Sequence, residues 1–167
     1  MNTVALGVEY AKELEAETIA TRKCLERVPE NLWSWKPHPK SMDMGYLVML
    51  VAEIPKWISY SIDQTVIDLA TFPHDHPKTT AALVANYDKY IEGARKSLNE
   101  ISNEGLNEIF YLKHSGKTLF SCSQKENISS TLNHWVHHRG QLTVYMRLND
   151  IAVPSIYGPS ADDKGGF

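Results

Sequence analysis

Apolar residues recur every three or four positions in four separate stretches of this chain, and prolines stand in the first two of the gaps between them. That period is the repeat of an α-helix with one buried face, so the pattern restricts the chain to helices packed on one another. In the first stretch, about 4–27, Val4, Val8, Ala11, Leu14, Ile19 and Leu25 mark the stripe and Pro29 ends it. The second starts at a cap from Ser41 or Asp43 and runs to about Asp68, burying Leu47, Leu50, Val51, Ile54 and Ile58. Pro55 should kink or break it, because proline removes a backbone donor and crowds the preceding turn. Leu83, Tyr87, Ile91, Ala94 and Leu98 define a third helix over about 80–101, and a fourth spans about 126–148.

The connections differ in character. Residues 29–41 hold Trp33 and Trp35 among prolines and read as a loop pinned to the helices by its rings. The run His74-Asp75-His76, between Pro73 and Pro77, reads as a polar connection. In 102–125 the helical period fails, and Ile109–Leu112 with Leu119–Phe120 around Gly116 predict short strands or an extended loop. The tail beyond 148 is irregular and expected to fray over 161–167. Four long helices with an irregular segment before the last predict an all-α four-helix bundle, one domain over 1–167.

Hydrophobic residues at 43% and charged residues at 22% are enough for a core without disulfide or structural metal. A net charge of −3 with no basic stripe excludes nucleic acid as a partner. Cys24 and Cys122 fit no metal or redox motif and are expected to be reduced. The first residues carry no basic patch or apolar signal core, and no run approaches a membrane span. A soluble, cytoplasmic protein is the expectation.

The sharpest chemical feature is His134 and His138 on the last helix. Residues four apart sit one turn above each other, so the two imidazoles project together, with Gln141 and Tyr145 continuing their line. Such a pair can aim ring nitrogens at one divalent ion. Seven histidines make the spacing a common accident, however, and a hydrogen-bonded core pair explains it equally well. Trp135 stands where a metalloprotease helix carries its catalytic glutamate, which argues against a zinc peptidase. His137 projects about 100° away from His138 and is expected not to join the pair. Gly140, inside the helix, predicts a close helix–helix approach. Arg139 needs a carboxylate, a carbonyl or solvent, with Glu53 a candidate partner.

The run His134-Trp135-Val136-His137-His138-Arg139-Gly140-Gln141 resembles the last-helix signature of the DinB (DinB/YfiT-like) family. Leu25–Pro29 with Trp35–Pro39, and the tail Val153–Asp162, resemble the same family. The resemblance implies an up-down-down-up four-helix bundle, commonly a homodimer, and a stress-associated role. It also implies a divalent ion, such as zinc or nickel, held by three histidines, two of them matching His134 and His138. The third belongs to the second helix, where this chain has Leu50. Tyr46 and Glu53, a turn either side, are the nearby oxygen donors. The expected pocket comprises Leu50, Glu53, Tyr46, Arg139, Gln141 and Tyr145. The function implied is a divalent-metal-dependent thiol transferase or related enzyme with a degenerate third ligand. The alternative is a non-catalytic bundle that binds a small ligand or partner and has lost metal chemistry.

Overall fold

A computed structural model describes residues 6–165. Helix α1, Leu6–Glu26, buries Ala11, Leu14, Thr21, Cys24 and Leu25. Ile19 is exposed instead of buried, because the inward line steps from 14 to 18 to 21 and 19 falls off it. Val4 lies outside the described residues. A single 3₁₀ turn, Glu30–Leu32, follows. The carbonyls of Trp35 and Trp33 then accept the N–H groups of Met44 and Gly45 at 2.7 and 2.8 Å. The tryptophan loop therefore satisfies donors that the first turn of the next helix leaves free.

Helix α2, Met44–Gln64, is capped by Asp43, whose carboxylate accepts the N–H of Tyr46. It runs unbroken through Pro55. Proline has no N–H to give the carbonyl four residues back, that of Val51; the indole N–H of Trp135 donates to this carbonyl at 2.9 Å instead. The orphaned group is thus satisfied from a neighbouring helix, in the core. Helix α3, Thr80–Glu100, is capped by Thr79 and buries Leu83, Tyr87, Ile91, Ala94 and Leu98.

The all-α expectation is corrected here. Thr65, at φ 54°, stops α2, and Val66–Asp68 form a strand, β1, rather than a last helical turn. After the short helix α4, Asn103–Asn107, come β2, Ile109–His114, and β3, Lys117–Ser123. β2 pairs parallel with β1 and antiparallel with β3. The β2–β3 turn is Ser115-Gly116, both at positive φ, which suits a two-residue hairpin. The Asp68 carboxylate accepts the N–H groups of Ala70, Ser115 and Gly116, tying β1 to that turn. Ile67, Phe72 and Phe110 form a small second core under the sheet, against Trp57 and Tyr60 of α2. The strands exist because this apolar set buries itself only when β1 and the hairpin come together.

Helix α5, Gln124–Leu148, starts at a capping box between Ser123 and Glu126. Around the core the four long helices meet in the order α1, α3, α2, α5 and back to α1. Arg22 pairs with Asp88 and Arg95 with Glu15, so α1 and α3 run antiparallel. A Cβ on Gly93 of α3 would lie 3.7 Å from Ser59 Oγ, and Ser97 bonds Asp63, so α2 and α3 run the same way. Asn127 bonds Ser61 and Tyr145 bonds Met42, so α5 opposes α2. No helix among the described residues is long and apolar enough to cross a membrane. The tail does not fray as expected up to Gly165: Asp162 pairs with Arg147 and accepts the N–H of Val153.

Candidate functional site

The α5 histidines meet as their spacing predicts. Their Nε2 atoms lie 2.8 Å apart, and His138 Nδ1 lies 2.7 Å from Gln141 Oε1. An amide oxygen only accepts, so Nδ1 of His138 carries the proton and its Nε2, in the neutral ring, offers a lone pair. His134 Nε2–H is then the donor between the rings, and the chain His134→His138→Gln141 is satisfied with every ring neutral. Burial, and then the charges that His138 and His137 would carry, push the His134 pKa below its ordinary value. His137 is closer than expected: its ring centroid is 5.1 Å from that of His138, although it stays exposed.

The pair touches α2 through Trp57, whose ring stands 6.1 Å from that of His134. Trp57 also lines a cavity of about 360 Å³, together with Tyr46, Met49, Leu50, Glu53, Leu69, His74, Asp75 and His76. Leu50, Glu53 and Tyr46 are thus brought to one place. Glu53 is fully engaged there: His74 Nδ1 lies 2.7 Å from its Oε2 and Lys56 Nζ 3.8 Å from its Oε1. Lys56 also reaches Asp75 at 3.1 Å and donates to the Pro73 carbonyl, while the Tyr90 hydroxyl donates to Asp75. That bond and Lys56 hold the Asp75 carboxyl below its usual range, and burial raises the Tyr90 hydroxyl.

Three expected pocket members do not line the cavity: Gln141 bonds His138, and Arg139 and Tyr145 serve other contacts. Arg139, only 2% exposed, points to α1 and the tail, pairing with Glu17 at 2.5 Å and bonding Thr21 and Tyr157. One residue of helix turns it about 100° from His138, too far to reach Glu53. The Tyr145 hydroxyl donates to the Met42 carbonyl and its ring meets Trp35 edge-on. Gly140 marks no close approach: a Cβ there would meet nothing within 4 Å. The tight contact is Gly7, whose Cβ would lie 2.5 Å from the Leu98 carbonyl oxygen.

His74 and Trp57 are cavity residues that the sequence reading did not single out. A histidine between prolines, beside Phe72, was the available signal for the first, and a tryptophan one turn past Glu53 for the second. Among the described residues, no group of three His, Cys, Asp or Glu side chains is disposed to hold an ion. With Leu50 at the third position and Glu53 taken by His74, the donor set does not fit the three-histidine ion that the resemblance implies.

A family model described as DinB family matches residues 1–164. The uncharacterized protein YrdA of Bacillus subtilis (strain 168) is 25% identical, over 95% of this chain and 92% of its own. The crystal structure of a DinB-like protein of Bacillus subtilis, YjoA, superposes with a TM-score of 0.70 at 18% identity, covering 86% of this chain and 94% of that one. A DinB-like protein of Bacillus cereus ATCC 10987 gives 0.64 at 22%, covering 89% and 95%. These two show that the fold is shared.

Proposed function

The chain belongs to the DinB family, and from that premise we propose that it binds a small, largely apolar organic molecule in the cavity on α2, without the three-histidine ion. We read the helix pairings as the family's up-down-down-up bundle, with the sheet as an addition between α2 and α5. The observation that carries the proposal is the cavity itself. Its volume of about 360 Å³ is of small-ligand size, and Met49, Leu50, Trp57 and Leu69 give it apolar walls around a few polar groups. The leucine that removes the third ligand is part of this wall.

The second reading, a divalent-metal-dependent thiol transferase, is favoured by the convergence of the two Nε2 atoms on one point. Elemental analysis of protein purified without a metal-affinity tag separates the two. A library of small aromatic and aliphatic compounds, screened by thermal shift, should yield binders indifferent to chelator and weakened in Leu50→Trp, which narrows the cavity. A ligand at a hundred times its Kd raises stability by about 2.7 kcal/mol. A stoichiometric ion, whose removal abolishes ligand binding, would refute the metal-free reading. We further propose a homodimer, associating through exposed Val144 and Leu148 on α5 rather than through tryptophans, none of which is exposed. Monomer by light scattering at micromolar concentration would refute that.

A further inference from the structure

The cavity holds one arrangement that a passive apolar pocket does not need. His74 sits on the loop after β1, at the cavity rim, with its side chain 44% exposed, and Glu53 beneath it is 12% exposed. A carboxylate can only accept, so the 2.7 Å contact fixes the imidazole proton on Nδ1. Nε2 of the neutral ring therefore carries a lone pair, and among the described residues it makes no hydrogen bond. Phe72 packs edge-on against the ring at 5.1 Å between centroids, which limits how the imidazole can turn. This is the geometry of a histidine oriented by a carboxylate to take up a proton.

The surrounding charges favour that role. Lys56, from α2, lies between Glu53 and Asp75, and Tyr90, from α3, donates to Asp75; His76 completes the rim. Two carboxylates against one ammonium leave a local negative charge, so an imidazolium formed at His74 finds a counter-charge already in place. The α5 pair differs in that both nitrogens of His138 are engaged, by His134 and by Gln141, and neither ring lines the cavity.

We propose that His74, oriented by Glu53, is the proton-accepting group of the cavity, and that the ligand is a small apolar molecule carrying a weakly acidic hydroxyl or thiol. On binding, the ligand's O–H or S–H bond breaks, its electron pair stays on the oxygen or sulfur, and the proton forms a new N–H bond at Nε2. The product is an anion–imidazolium pair, and no oxidant or reductant is needed. This rests on the cavity being the binding site. A merely structural His74–Glu53 pair, tying the loop to α2, would leave the ligand's ionisation unchanged.

The test uses para-nitrophenol, whose phenol and phenolate absorb at different wavelengths, with the full-length protein. Equilibrium dialysis measures retention, and absorbance measures ionisation at the pH where the free probe is half ionised. The ratio of phenolate to phenol in the bound pool should exceed that of the free probe by about tenfold. His74→Gln should retain the probe and return the ratio to the free value, and Glu53→Gln should lower it. An unshifted ratio in the natural protein, or a shift that persists in His74→Gln, overturns the assignment of His74 while leaving the cavity reading intact. Retention equal in Leu50→Trp, or no retention at all, overturns the cavity reading and this inference with it.

Discussion

If the indole of Trp135 stands in for the donor that Pro55 lacks, then removing the indole should cost much less once the proline is gone. Trp135 is 1% exposed and Val51 is fully buried, so in Trp135→Phe the Val51 carbonyl loses its partner with no water to replace it. An unsatisfied buried carbonyl costs about 1–3 kcal/mol. The smaller ring leaves a void of on the order of 40 Å³, adding about 1 kcal/mol at about 24 cal/mol per Å³. The expected loss is therefore roughly 2–4 kcal/mol, or about 5–15 °C in Tm for a chain of this size. In the Pro55→Ala background the new N–H of residue 55 can donate to Val51, so Trp135→Phe should cost only the packing part, about 1 kcal/mol. Urea unfolding of the four proteins gives the coupling directly, expected at about 1–3 kcal/mol. Costs that add within about 0.5 kcal/mol would refute the substitution of one donor for the other.

Gly140→Ala should stabilise the protein by roughly 0.5–1 kcal/mol, since it fills open space in a helix interior, whereas Gly7→Ala should destabilise it. Thermal melts that shift the same way for both would contradict this. The depressed pKa of His134 means that the unfolded chain takes up its proton more readily than the folded one. Stability from this residue is full above about pH 6.5 and falls as pH drops towards the lower folded value, and His134→Gln should flatten that part of the stability–pH curve. Leu50→His should raise Zn²⁺ or Ni²⁺ affinity by at least about tenfold, equivalent to about 1.4 kcal/mol. Unchanged affinity in a calorimetric titration would show that residue 50 does not face the α5 pair.

What was legible in the sequence was what local spacing determines. Apolar periodicity placed the four long helices, and Asp43 was already one of two candidate caps for α2. The His134–His138 contact follows from four residues of helix and needs no knowledge of the fold. Gly140 was misread because a glycine in a helix signals a missing side chain, and only the neighbouring helix decides whether that space is filled. Arg139 likewise carried no sign of its partner, since Glu17 and Tyr157 come from opposite ends of the chain. Strand β1 escaped notice because Val66–Asp68 become a strand only by pairing with Tyr111–Lys113, far along the sequence.

The same distinction bears on where chemistry would reside. The motif that is easiest to see, the α5 histidine pair, is bonded within itself and to Gln141 in this structure. The Glu53–His74 pair is invisible to any motif, because it forms only when the loop after β1 folds back over α2, held by Lys56 on the Pro73 carbonyl and on Asp75. Trp57 touches both, packing against His134 and lining the cavity that holds the Glu53–His74 pair. Leu50 on α2 gives that cavity part of its apolar wall. In a drier, more apolar site a carboxylate-oriented imidazole discriminates more strongly between the neutral and ionised forms of what it binds. Leu50 and the Glu53–His74 pair therefore act in one cavity, the first by keeping it apolar and the second, on the reading proposed above, by taking up a proton there.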